Sequence, residues 1–552
     1  MIHAIELENF KAFGNRVRLD FAPITLIYGE NSAGKSSILN ALNLLKQTRF
    51  SREHGALLLP RAEGGLVDLG SFHELLYDHD AERTLSLRLD LRGSSRMLRT
   101  RDEGETGRAI GLEVSFRQKG AGDVALAGFR VFDGQRLESV AQFEPQDLHG
   151  AQLQHSRRFS PFGPYGMRRD RKGPGRPRGA VCTEVVADDH YWEAEYSRTL
   201  QLRTEILESL AAMREEIARQ HPDRQGRLFP DEEFTVESVD AAIRFYNSEF
   251  SLAAYAARRR SASHGGVVAL DGFIPFAVSP DAGGEYPERT AATYHRRSRL
   301  PLRTHFIEAA DTLMEAGVSL EMALERLFPL GPYRKAPQRL YIFTGTTPPD
   351  VGYSGNLLPD LLFRRPKLVE ETNDWLTRLD VGYRIAIEPV GSRSNDLFEV
   401  RLQDKKRSAA TSVALPDVGF GISQLLPFVV QVLASDEQTI TIEQPEVHVH
   451  PRLQADIADL LVAGIQPGKA HRFIVETHSE HLILRLLRRI RETAGGELPE
   501  GHPGLRPAQL AVVYLERGLG GTIVHQLRVD DQGEFIDQWP KGFFEERSRE
   551  LF

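Results

Sequence analysis

Hydrophobic and polar positions along the chain change their period several times, and each change predicts an element. Ile2 to Glu8 and Arg16 to Phe21 alternate apolar with polar, the signature of half-buried strands. Phe13-Gly14-Asn15 between them is turn chemistry, so the two runs predict an antiparallel pair. Ile24-Thr25-Leu26-Ile27-Tyr28 is an apolar run suited to a buried strand, and Ser37 to Leu45 carries apolar residues at helical spacing. Val67 to Phe72 is turn-like, and Thr84 to Leu91 alternates again. Further on, Leu202, Ile206, Leu210, Met213 and Ile217, then Val236, Val239, Ile243, Tyr246 and Phe250, fall on one face each of two helices separated by Pro222 and Pro230. They predict a helical hairpin over about 190–257, whose first arm of roughly 30 residues would span about 45 Å. It either projects or caps a globular insertion. Another amphipathic helix is expected from Leu302 to Leu327.

Strand-like patterning returns at Leu340 to Phe343, followed by a Gly/Pro turn, a helix from Leu368 to Leu379, and alternating strands at Tyr383 to Pro389 and Leu397 to Leu402. Thr439 to Ile442 and Arg472 to Val475 are buried-strand patterns that run into polar residues. Helices are expected at Leu425 to Leu433 and Leu482 to Ile490.

Composition adds bounds. A length of 552 residues suits three or four domains, or one domain split by a large insertion. Hydrophobic residues are 41% and charged residues 26%, ordinary proportions for a soluble protein. No apolar run approaches the length of roughly 18 residues that a membrane span needs. Cys182 is the single cysteine, which excludes an intramolecular disulfide and a cysteine-rich zinc site. No secretion signal is read at Met1 to Glu6, so a cytoplasmic location is expected. With a formal net charge of −8, any nucleic-acid surface must be a local basic patch. Such a patch exists: Arg157, Arg158, Arg168, Arg169, Arg171, Lys172, Arg176 and Arg178 face only Asp170, in a stretch broken by Gly and Pro. It reads equally as a phosphate-backbone contact, with Phe159, Phe162 and Tyr165 to stack on bases, or as a solvated surface loop.

Gly29, Glu30, Asn31, Ser32, Ala33, Gly34, Lys35 and Ser36 fit the phosphate-cradling loop G-x-x-x-x-G-K-[ST], set between a strand and a helix as that loop requires. The glycines let backbone N–H groups point inward, the helix start adds partial positive charge, Lys35 reaches the phosphates and the Ser36 hydroxyl can ligate Mg²⁺; Ser37 follows as the next helical residue. A second anion-receptive helix start is marked by Gly419, Gly421 and Ser423. Glu443, Gln444 and Glu446 follow a strand, where α/β sheets place metal and catalytic groups, and Glu476-Thr477-His478-Ser479 ends another. His448 and His450 with Glu446 could alternatively ligate a metal, and Gln47 is either a magnesium-sensing glutamine or a surface residue at a helix end.

This ordered motif set resembles the ABC-type ATPase heads of the RecF/Rad50/SMC lineage, and more narrowly the prokaryotic AAA-labelled ATPases of overcoming-lysogenisation-defect and Septu-type antiphage systems. The tail from Gly533 to Glu546 is similar to the ending of an uncharacterised subgroup of these ATPases. The resemblance implies an α/β ABC-type P-loop ATPase head formed by residues 1–92 and 336–490, split by a mainly helical insertion at 93–335, with a small C-terminal region at 491–552. It implies ATP and Mg²⁺ as cofactors, Glu443 as the magnesium-associated acid and His478 as the switch histidine. Gly419, Gly421 and Ser423 would form a signature motif meeting ATP held by another subunit, giving a homodimer or higher homo-oligomer. The usual Asp-Glu pair is here Glu443-Gln444, and glutamine cannot take a proton from water. Either Glu446 or Glu443 supplies the base, or hydrolysis is slow and the ATP-bound dimer is long-lived; alternatively, Gln444 merely orients water. No Toprim domain or zinc-finger nuclease motif is read, so an effector, nuclease or toxin, is expected on a separate chain. The expected function is an ATP-dependent switch controlling that effector in antiphage defence; the alternative is a RecF-like DNA-repair ATPase whose basic loop binds DNA.

Overall fold

The computed structural model describes residues 1–51, 56–92, 109–120, 123–133, 138–147, short stretches and single residues between 178 and 280, and 304–540 apart from 333, 344, 392–395 and 406–410. The chain forms two compact units. One comprises Met1–Leu89, Arg117–Ala125 and Met322–Phe552, the other Asp90–Phe116 and Leu126–Glu321.

In the first unit six strands form one sheet in the order Leu327–Leu330, Thr439–Glu443, Arg472–Glu476, Ile24–Gly29, Leu510–Gly518, Gly521–Leu527. The first five are parallel and the sixth closes an antiparallel hairpin. Parallel strands are covered on both faces by crossover helices, which is why these segments read as unbroken apolar runs. Every residue of Ile24–Gly29 and of Arg472–Glu476 is buried. In register, Leu330 lies beside Ile442, Glu443 beside Glu476, and Glu476 beside Ile27. Four strand ends therefore reach one edge of the sheet, the carboxyl edge at which α/β folds hold ligands.

The helix expected to reach Leu327 ends at Glu325, and Leu327–Leu330 is a strand with Pro329 inside it. Proline is tolerated there because the strand lies at the sheet's edge. A smaller sheet, in which Leu397–Asp404 pairs with Tyr341–Ile342, Tyr383–Pro389 and Ser412–Ala414, shares its core with the large one. Buried Asn373 on helix Pro366–Arg378 is satisfied by bonding both the N–H (2.6 Å) and the carbonyl (3.0 Å) of Ile385. Ile2–Glu8 and Val17–Asp20 pair antiparallel, as their alternation predicts.

In the second unit, Ser139–Asp147 pairs antiparallel with Asp123–Asp133 and Arg178–Val185, and Gly266–Asp271 pairs with Arg178–Val185 and Ile274–Pro280. Phe116 and Phe273 meet edge to face in its core, an arrangement that suits the ring quadrupoles, with centroids 6.4 Å apart. The basic stretch 157–177, with Arg157, Arg158, Arg168, Arg169, Arg171 and Lys172, and most of the expected hairpin at 190–257 lie outside the described residues.

Candidate nucleotide-binding site

The Gly29–Ser36 loop leaves the sheet edge between a fully buried strand and helix Lys35–Phe50. Its glycines are obligatory on steric grounds. Gly29 has φ +145°, and a Cβ there would lie 2.3 Å from the Leu515 carbonyl oxygen; Gly34 has φ +92° and would meet the Ala12 methyl at 2.9 Å. Asn31 and Ser32 form the exposed tip. Thr522, on the neighbouring hairpin, donates its hydroxyl to the Ala33 carbonyl (2.8 Å) and its backbone N–H to the Ala12 carbonyl (2.9 Å), tying the loop to the hairpin. The helix starts on Gly34 without a side-chain cap; the Ser37 N–H bonds the Gly34 carbonyl (3.1 Å), and the Lys35 and Ser36 N–H groups at the helix start are suited to a ligand. Buried Lys35 donates to the carbonyls of Gly29 (3.0 Å) and Glu30 (2.8 Å). Burial lowers its pKa and Glu476 opposes that.

Beside the loop the sheet edge is acidic. Ser36 donates its hydroxyl to Glu476 Oε1 at 3.0 Å, whereas Glu476 Oε2 is buried without a hydrogen-bond partner. Burial raises the Glu476 carboxyl above the ordinary range, against the bond from Ser36 and the charge of Lys35. Glu443, next in register, is pushed up to about 7, first by burial and then by Glu476, with Arg334 pulling it down. Gln444 turns the chain away with φ +43° while its N–H still bonds the Glu476 carbonyl at 2.8 Å. Burial also raises Glu446, but both its oxygens are committed: Oε1 accepts the His478 N–H (2.6 Å) and Oε2 the Thr477 hydroxyl (2.8 Å).

The segment after Glu476 is tied down in the same manner. The Thr477 N–H bonds the Ile27 carbonyl (3.2 Å), and the Tyr28 hydroxyl donates to the Ser479 carbonyl (2.9 Å). Ser479 caps helix Glu480–Gly495 by accepting the Leu482 N–H (3.2 Å), and its hydroxyl donates to Gln454 (2.8 Å). His478 itself is exposed. Helix Phe420–Ala434 starts on Gly419 with no side-chain cap, and a Cβ at Gly419 would meet open space. Gly421 lies against the acidic loop: a Cβ there would be 2.8 Å from the His448 carbonyl oxygen. Ser423 is buried in that helix's first turn.

Magnesium takes hard oxygen ligands and is commonly held by one or two protein side chains plus phosphate. The Ser36 hydroxyl, Glu443, and Glu476 with its unpartnered buried oxygen make an all-oxygen donor set that fits this ion. Among the described residues, no cluster of three or more His, Cys, Asp or Glu is arranged around a common metal position. His450 instead caps helix Pro451–Gly464, its Nδ1 accepting the Arg452 N–H at 3.3 Å. Gln47 is neither a surface residue nor at the loop. It is buried and bonds the Leu59 carbonyl (2.8 Å) and the Val67 N–H (2.9 Å), pinning the segment after its helix. No role for Glu476 or Arg334 follows from the sequence alone. Glu476 carries a usable signal, an acid ending an apolar run as Glu443 does; Arg334 carries none, because the strand that delivers it has the apolar spacing of a helix end.

Residues 1–99 match the family described as AAA ATPase domain, residues 359–485 the family described as "AAA domain, putative AbiEii toxin, Type IV TA system", and residues 505–552 a family described as a protein of unknown function, DUF3696. No curated protein matches the sequence. Among solved structures, the Smc head domain of Pyrococcus furiosus, with an extended coiled coil and bound to the C-terminal domain of ScpA, is 11% identical, with a TM-score of 0.36 and coverage of 100% of this chain and 98% of that one. The SMC head domain from Thermotoga maritima is 8% identical, with a TM-score of 0.35 and coverage of 96% and 99%. A likeness that distant carries no partner or activity across. The phosphate loop at the edge of a parallel sheet, with matches to two AAA families on either side of a long insertion, shows an α/β P-loop ATPase fold with an insertion.

Proposed function

We propose that the chain binds and hydrolyses MgATP and acts as an ATP-controlled dimerisation switch for a separate effector protein, a nuclease or toxin, in cytoplasmic antiphage defence. The observation that carries the reading is the Ser36–Glu476 hydrogen bond. It joins the phosphate loop to the acidic sheet edge, with Lys35 and Glu443 beside it. In this reading the N–H groups of Gly34, Lys35 and Ser36 and the Lys35 ammonium hold the triphosphate. Ser36 and Glu476 would hold Mg²⁺, which when bound neutralises phosphate charge. Glu443 serves as the base for the attacking water, its carboxyl standing next in register to Glu476 at the sheet edge. Glu446, whose oxygens are both occupied by the His478 N–H and the Thr477 hydroxyl, instead transmits movement between the acidic segment and the His478 segment. Gln444 cannot act as base, which fits slow turnover and a persistent ATP-bound state. The uncapped helix start at Gly419, with Gly421 and Ser423, would meet the nucleotide of a second copy.

The defence reading rests on the motif resemblance and on the toxin–antitoxin description of the family matching 359–485. Static light scattering on the full chain tests the switch. Mg²⁺ with ATP should raise the mass of the Glu443→Gln variant to at least that of a dimer, and ADP should not. Identical profiles with the two nucleotides would refute it.

A further inference from the structure

After strand Gly521–Leu527 the chain folds back on itself between Arg528 and Asp537 as a short hairpin. The Ile536 N–H bonds the Arg528 carbonyl (3.0 Å), the Asp530 N–H bonds the Glu534 carbonyl (3.0 Å), and Val529 pairs with Phe535. The Arg528 guanidinium closes the hairpin with a two-pronged bond to Asp537, from Nη2 (2.8 Å) and Nε (3.0 Å). This hairpin is seated on helix Glu480–Gly495, the helix that follows His478. Gly533, with φ +68°, approaches it so closely that a Cβ would stand 2.2 Å from the Leu487 carbonyl oxygen. Arg491 of the same helix donates to the Gln532 carbonyl (2.9 Å) and to Glu534 (2.9 Å).

The anchored hairpin delivers Trp539. Its indole meets the Tyr28 ring edge to face with centroids 5.6 Å apart, the Tyr514 ring at 6.0 Å in the same manner, and Phe535 at 5.1 Å. Tyr28 and Tyr514 are buried partners in register on neighbouring parallel strands, so one indole braces both rings. Tyr28 directly precedes Gly29, and its hydroxyl holds the Ser479 carbonyl at 2.9 Å. A tyrosine hydroxyl lies at the far end of its ring, so a small swing of the ring withdraws it from an acceptor at that distance. The tail thereby grips both the helix after His478 and the strand before the phosphate loop.

We propose that Arg528–Pro540 is a built-in brace of the nucleotide site in which Trp539 is a positioning residue. It holds the Tyr28 ring so that the hydroxyl fixes the Ser479 carbonyl, and with it the neighbouring backbone of His478, for ATP turnover. The proposal rests on the MgATP reading above and gives the C-terminal region a task in that site. The triphosphate is held by the loop and Lys35, so Trp539 governs turnover rather than affinity.

Hydrogen exchange of the full chain without nucleotide reads the brace. Trp539→Ala should speed exchange of the amides at 477–482 by about tenfold or more, and leave those of strand Thr439–Glu443 within about twofold. A double-mutant cycle on kcat reads the route. Trp539→Ala and Tyr28→Phe, which loses only the hydroxyl, should each lower kcat by about tenfold and change the ATP dissociation constant by less than about threefold. Together they should lower kcat no further than either alone. Trp539→Phe, which keeps an aromatic brace, should recover kcat to within about threefold of the wild type, and Trp539→Leu takes the place of the alanine variant if that one does not fold. Unchanged exchange at 477–482, or losses of kcat that multiply in the double variant, overturns the proposal and leaves the MgATP site standing. Failure of the wild type to bind or turn over MgATP overturns that reading and the proposal together.

Discussion

Two pairs of helix starts in the first unit make the most useful comparison. Pro451–Gly464 and Glu480–Gly495 each begin with a side chain, His450 or Ser479, that accepts a first-turn N–H. Lys35–Phe50 and Phe420–Ala434 each begin on a glycine with no such cap. The orphan N–H groups at a helix start require partners; the starts at Leu358–Arg364 and Pro366–Arg378 also have no side-chain cap but carry a proline in the first turn, whereas the two glycine starts do not. At Gly34, in our reading, the outside partner is the phosphate chain of a nucleotide. At Gly419, in our reading, it is nucleotide held by another copy.

The contrast is sharpest at the acids between these helices. Glu443→Gln should lower kcat by about 10²–10⁴-fold while ATP still binds, whereas Glu446→Gln should act mainly by loosening the His478 segment. Steady-state turnover with parallel nucleotide titrations separates them; an equal loss of kcat in both would withdraw the base from Glu443. A stability effect of up to about 3 kcal/mol comes next. Because the folded pKa of Glu443 lies near 7, above its ordinary 4.5, the folded state binds the proton more tightly than the unfolded chain, and stability falls as pH rises from about 4.5 through 7. Without nucleotide or divalent cation, Glu443→Gln should therefore stabilise the protein more at pH 8 than at pH 5 in denaturant melts. The reverse order would contradict the burial of this acid.

Smaller effects distinguish the helix starts themselves. Gly421→Ala drives a methyl into the His448 carbonyl and should cost about 1–3 kcal/mol. Gly419→Ala faces open space and should change stability by no more than about 0.5 kcal/mol, the usual range for a substitution that meets nothing. Ser479→Ala removes a cap and should cost about 1 kcal/mol by the same melts. Comparable losses at Gly419 and Gly421 would show that the Gly419 end is not open.

Much of this edge was legible because parallel strands and a glycine loop leave strong local marks. Ile24 to Tyr28, Thr439 to Ile442 and Arg472 to Val475 are apolar runs with no competing period, and each appears as a buried strand of the same sheet. Leu327–Leu330 was not legible: four residues continue the apolar spacing of the preceding helix, and Pro329 argues against a strand unless one knows it lies at an edge. Missing that strand hid Arg334. Glu476 was visible as a residue but not as a partner, since its bond to Ser36 joins positions 440 residues apart. Gln47 misleads for a related reason: its partners Leu59 and Val67 lie in a turn-rich segment with no period to announce that it folds back over the helix.

The central claim is that the Gly29–Ser36 loop holds MgATP through Lys35. Calorimetric titration of MgATP into the full chain and into Lys35→Ala tests it most directly. Saturable binding by the wild type, weakened by about a hundredfold in the variant, is the predicted result. Indistinguishable isotherms, or a wild type that takes up no ATP, would contradict it.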